Sequence, residues 1–334
     1  MYIGKSYSLF EFVIWTKRKI YTLLLLSAIP VILYNLLEIK WIAIPWSVIA
    51  MLGTATAFIL GFKNNLSYKR SLDAQDIWTA ILSNSRAWGL VSRDYLNSEI
   101  SKELIYRHIA WVTALRYGMR TPKTWESTNE TNNVAYRKFF TIPEQETSLE
   151  EDLAKYLLPG ELQAVLKAKN ISTHILSLQS KTLKSLYDKQ EITVLQFVDM
   201  EKSIRDFYNL QGKSEQIKNS PFPGQYNTIN NLLVRSFTFL LPYGMLNDFN
   251  KLNEGVVGLM KGDMTWLIIP FSFLISWLYF SIVQVGENTE NPFEGGANDV
   301  PISQISFELE VELRQMLGEI NLPDFSMPQN NIIL

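Results

Sequence analysis

The chain has 334 residues, 47% of them hydrophobic, with a formal net charge of −2. Near-neutrality gives no bulk-charge case for a nucleic-acid partner. The absence of Cys excludes disulfides, thiolate catalysis and Cys-ligated metals, and leaves the redox compartment open.

Mean hydropathy is close to zero, but the average hides strong segregation along the chain. Lys5, Lys17, Arg18 and Lys19 precede a charge-free run, "IYTLLLLSAIPVILYNLL" (20–37). The run and its leader are both long for a signal peptide, and no small-residue cleavage site follows, so it reads as an uncleaved membrane helix. A second charge-free run, "WIAIPWSVIAMLGTATAFILGF" (41–62), follows after only Glu38 and Lys40. Each approaches the ~20 residues that cross a hydrocarbon core.

Residues 63 to 228 are more polar and helical in pattern. Ile77, Ile81 and Trp88 form one helical stripe, and Leu104, Ile105, Ile109, Val112 and Leu115 a second. A loop is expected at 120–133 and helices at 148–157, 171–188 and 193–211, the last ending before Gly212. "SPFPGQY" (220–226) interrupts the pattern.

A third span is expected at 232–246, with Arg235 near its end and able to snorkel, and a fourth at 264–285. Irregular sequence (288–301), a final helix and a Pro-containing tail complete the chain. The fold class that follows is an all-α integral membrane protein with four transmembrane helices and a helical cytoplasmic domain. Its segments are 1–62 (two spans), 63–228 (cytoplasmic domain), 229–286 (two spans) and 287–334 (C-terminal segment). Lys63, Lys69 and Arg70 follow the second span, so both termini and the middle region are expected in the cytoplasm of a cell with this protein in its inner membrane.

No enzyme constellation is present. His108 and His174 fall on separate helices, and Walker, dinucleotide-binding, zincin and nucleophile-elbow motifs are all absent. Channel, transporter and membrane-anchored scaffold or sensor remain as classes. The lack of an internal repeat weighs against a transporter.

Two rows run along the second span at intervals of four: Gly53, Ala57 and Gly61, and beside them Thr54, Phe58 and Phe62. Small residues at this spacing let membrane helices approach closely. If copies pack on the small rows, the bulkier row rings an axis, and a narrow apolar ring gates a pore by excluding water. Ordinary helix packing explains the same rows without a pore.

Four motifs then resemble the bestrophin family in order along the chain: "LGTATAFILGFKNNLSYKR", "SPFPGQY", "LLPYGM" and "NPFEGGANDVPI". The resemblance implies a homopentameric ion channel around one axial pore. It implies a neck matching Thr54, Phe58 and Phe62 and a cytoplasmic aperture matching Ile192. Thr54 is smaller and wetter than the family's usual neck residue, and Lys63 stands where Arg is common. Calcium-gated members carry an acidic run after N-P-F-G. Here "EGGAND" replaces it, leaving Glu290, Glu294, Asn298 and Asp299 as either a possible cation site or a structural turn. No cofactor is required on this reading, and calcium stays an open possibility. The expected partners are the chain itself, the lipid bilayer and small permeant ions, with anions favoured over sodium-like cations because phenyl edges are electropositive.

Overall fold

The computed structural model describes residues 1–127, 137–256, 261–323 and 328–334. The expected 120–133 loop, and the segment between the spans expected at 232–246 and 264–285, therefore lie partly outside the described residues. Two compact units emerge, each built from separated stretches of chain: an apolar unit of Lys5–Lys69 with Pro221–Glu290, and a polar unit of Met1–Gly4, Arg70–Ser220 and Asn291–Leu334. The protein is all-α. Among the described residues β pairing is limited to isolated bridges, such as Tyr2 with Ile332.

In the apolar unit, helix α1 (Leu9–Asn35) starts at a capping box. The Ser8 hydroxyl accepts from the Glu11 N–H, and the Ser8 N–H donates back to the Glu11 carboxylate at 2.9 Å. This cap places Lys17 and Lys19 inside the helix, not ahead of it. Helix α2 (Trp46–Tyr95, 50 residues) contains no proline and runs uninterrupted, giving its first part, to Lys69, to this unit. Each of the four charge-free or nearly charge-free segments lies in its own helix. By length and composition α2 and the helix of Met264–Thr289 can cross a membrane, and α1 holds a shorter apolar run, Lys19–Asn35.

The polar unit is a bundle with a conventional apolar interior. After Asn97 caps it, α3 (Ser98–Arg120) buries Leu104, Ile105, Ile109, Val112 and Leu115, the expected stripe, against Ile81 and Trp88 of α2. Short helices α4 (Pro143–Glu146), α5 (Leu149–Leu153) and α6 (Pro159–Leu166) follow. The helix expected at 148–157 ends at Leu153 and tightens into turns, with the Tyr156 N–H donating to the Leu153 carbonyl at 3.0 Å, before Pro159 starts the next helix. Helix α7 (Ile171–Asp188) has the expected bounds. Helix α8 (Val194–Asn219) continues through Gly212, because Gln211 and Ser214 beside it are buried and hold the turn, and it stops before Pro221.

The apolar unit is completed by α9 (Gly224–Leu252) and α10 (Ile268–Thr289). Val31, Ile49, Phe237, Leu241 and Ile268 form its main core, and Leu60, Val234 and Val283 a second one. Glycine makes one contact here possible: a Cβ on Gly244 would stand 2.5 Å from Ile49. Outside, Tyr21, Leu25, Leu232, Phe271 and Leu278 are exposed. An apolar interior inside an apolar exterior suits lipid, not water. The last helix of the polar unit is α11 (Ile302–Met316), the expected final helix.

Candidate functional site

Thr54, Phe58 and Phe62 share one face of α2 because residues four apart lie one above another. Phe58 is 67% exposed and Phe62 55% exposed, and Thr54 is exposed as well. The two phenyl rings meet edge to face, centroids 4.6 Å apart and planes at 86°. The Thr54 hydroxyl donates to the Ala50 carbonyl at 2.9 Å, which leaves its oxygen lone pairs toward the surroundings.

The opposite face of α2 is fully committed. Ile49, Thr56, Leu60, Lys63 and Ser67 are buried. The small row divides between the two faces. Gly53 packs within the protomer, where a Cβ would lie 2.7 Å from the Phe237 ring, and its carbonyl accepts from the Tyr279 hydroxyl at 3.2 Å. Ala57 and Gly61 are exposed, and a Cβ on Gly61 would meet open space. Only the lower two of the three small residues are therefore free to receive another copy.

At the end of this stretch Lys63 points into the unit, 3.7 Å from the Glu290 carboxylate, which follows α10. Asn227 of α9 donates to the same carboxylate at 3.4 Å. Asn64 donates to the Ile282 carbonyl at 3.1 Å.

In the polar unit Ile192 is 5% exposed and part of the main core. Within the protomer Ile192 is thus turned into the core, away from the surface on which the aperture expected there would be lined. The reason is local: Thr193 is the N-cap of α8, which puts Ile192 at the N′ position, where an apolar residue turns back onto the helix. Phe197, at the complementary N4 position, packs against the same core. The free apolar side chains in this stretch are Val194, Val198 and above all Leu195, 79% exposed.

The four residues considered for a cation divide between the two units. Glu290 belongs to the apolar unit and is spent on Lys63 and Asn227. Glu294 accepts from the Ser127 N–H at 2.9 Å and from the Ser127 hydroxyl at 2.6 Å. Burial, reinforced by the nearby Asp299 charge, pushes its carboxyl up to about 8. Asp299 accepts from the Gly295 N–H at 2.7 Å and lies 3.5 Å from the Arg120 guanidinium. Burial raises its pKa, against the opposing pull of Arg120. Asn298 follows the same turn, just ahead of α11. Among the described residues no three His, Asp or Glu side chains are grouped to hold a metal.

Sequence reasoning missed the charges that brace this turn. Arg120 donates to the Phe293 carbonyl at 3.1 Å and lies 3.4 Å from Glu144, which also pairs with Arg116 at 3.1 Å. Lys218 and Glu126 form a buried pair. Nothing in their sequence positions marks them out, because no spacing rule joins partners on separate elements. His108 is enclosed by Trp88, Trp111 and Phe207, and its Nε2 lies 2.8 Å from the Ser85 hydroxyl. Burial pushes its pKa down to about 3, so it is a neutral core residue.

Comparison with known proteins agrees with this architecture. A family model described as "Bacterial/Fungal Bestrophin protein" matches residues 14–315. A curated relative from Escherichia coli K12, "Voltage-dependent anion channel-forming protein YneE", is 26% identical over 300 residues, 89% of this chain and 84% of its own. The protein of the same name from Salmonella typhi is 27% identical over 320 residues, covering 93% and 90%. A crystal structure of a bacterial bestrophin homologue from Klebsiella pneumoniae superposes with a TM-score of 0.76 at 21% identity, covering 91% of this chain and 99% of that one. The chain thus belongs to the bacterial and fungal bestrophin family, a family of membrane ion channels and not of enzymes.

Proposed function

We propose that this protein is a passive ion channel of the inner membrane, assembled as a homopentamer with both termini in the cytoplasm. In it, the Thr54–Phe58–Phe62 stripes of the copies line a hydrophobic neck. The observation that carries this reading is the division of α2: one face is packed within the protomer, and the other presents two phenyl rings and a threonine at four-residue spacing. Ala57 and Gly61, exposed beside that stripe, give neighbouring copies room for close approach. A ring of phenyl groups excludes water at rest and admits ions when it widens. Leu195 takes over the aperture role that the resemblance had given to Ile192.

Small anions are the permeant ions on this reading. Phenyl edges are electropositive, and the relatives are named as anion channel-forming proteins. A second reading, cation permeation, draws on Thr54: with its proton committed to Ala50, its oxygen offers acceptor capacity that suits a cation. Calcium has no assigned part in either reading, because Glu290, Glu294 and Asp299 are engaged by protein partners. Purified protein in a planar bilayer under asymmetric NaCl separates the two. Anion conduction places the reversal potential near the chloride equilibrium potential, and a value near that of sodium overturns the anion reading.

A further inference from the structure

Lys63 immediately follows Phe62 on α2, yet the two side chains have opposite fates. Phe62 is half exposed, and the Lys63 side chain is only 2% exposed. A lysine inside an apolar unit needs a counter-charge. Glu290 supplies it at 3.7 Å, itself mostly buried and steadied by Asn227 of α9. The ammonium also lies 6.0 Å from the centre of the Phe222 ring, at the edge of cation–π range. One residue on, Asn64 grips the Ile282 carbonyl of α10, at a place where only a glycine leaves room: a Cβ on Gly286 would stand 2.1 Å from the Asn64 amide oxygen. Two consecutive residues therefore tie α2 to α10 and α9 at the level of the last ring of the stripe.

We infer that the Lys63–Glu290 pair is a positioning latch that sets the rotation of α2 at Phe62, and so sets how far that ring closes the neck. Successive helical residues are offset by about 100°. Burying Lys63 against Glu290 therefore dictates where the neighbouring phenyl ring points. Neither charge touches the permeant ion; both act through Phe62. The inference rests on the pore reading proposed above.

Because the native chain has no Cys, Phe62→Cys gives a single thiol. The full-length protein in liposomes is treated with a charged, water-soluble thiosulfonate, and modification is followed through the change in ion flux. Lys63→Gln or Glu290→Gln in the Phe62→Cys background is expected to change the modification rate by about tenfold, as expected when a latched orientation becomes a minor state. Lys63→Arg and the charge swap Lys63→Glu with Glu290→Lys are expected to keep the parental rate. Thr54→Cys, two turns away, is expected to keep its rate in every background, which a general loss of stability would not allow. Modification at Phe62→Cys with an unchanged rate in the Gln variants overturns the latch and leaves the pore reading standing. So does failure of Lys63→Arg to hold the parental rate. If no background shows a flux response, both readings fail.

Discussion

Ile192 and Leu195 are three positions apart and face opposite ways: Ile192 is 5% exposed within the main core, and Leu195 is 79% exposed at the start of α8. One stabilises the protomer, and the other is available to an opening or a neighbour. Ile192→Ala should therefore lower thermal stability by about 2–5 kcal/mol, the usual cost of truncating a buried aliphatic. Leu195→Ala should leave the melting temperature nearly unchanged and alter ion flux. Melting curves and liposome flux on the two variants check this. The reverse assignment of effects would return the aperture to Ile192.

Gly295 adopts φ +88°, and a Cβ there would lie 2.7 Å from Ile142. Its N–H is also the donor that holds Asp299. Gly295→Ala should destabilise the polar unit by about 1–3 kcal/mol, from the left-handed backbone and the crowding together. Chemical denaturation followed by tryptophan fluorescence measures it, since Trp78, Trp88 and Trp111 are all in that unit's core.

Two buried groups give the polar unit opposing pH dependences. His108 is pushed from 6.5 down to about 3, so the unfolded chain gains a proton that the folded one refuses, and stability falls as pH drops below 6.5. Glu294 is raised from 4.5 to about 8, so the folded chain keeps a proton that the unfolded one releases. Its contribution is full below 4.5 and is lost as pH rises toward 8. Glu294→Gln should flatten the loss between pH 4.5 and 8 in a series of thermal melts. Parallel profiles for variant and parent would contradict the assignment.

Much of this was legible in sequence, and the reasons are physical. Ile81, Trp88, Leu104 and Ile105 recur with the helical period, and all are fully buried. Charge-free runs marked the apolar segments because lipid tolerates no unpaired charge. The four-residue spacing of Thr54, Phe58 and Phe62 put them on one face, but spacing could not tell which face of α2 the protomer itself covers. That depends on Phe237 and Tyr279, which are far away in the chain. The Lys63–Glu290 and Arg120–Asp299 pairs were illegible for the same reason: each joins residues distant in sequence. A motif resemblance places the expected aperture at Ile192 along the chain but not the direction of its side chain. The N-cap at Thr193, which decides orientation, was there to be read in "TVLQ".

Ion flux from liposomes holding the double variant Phe58→Ala/Phe62→Ala, set beside the parent at matched protein density, tests the pore most directly. If these rings form the barrier, their removal leaves a wider, wetted neck, and the basal flux rises severalfold. Flux equal to that of the parent, from protein that still assembles, would place the stripe against lipid and contradict the account.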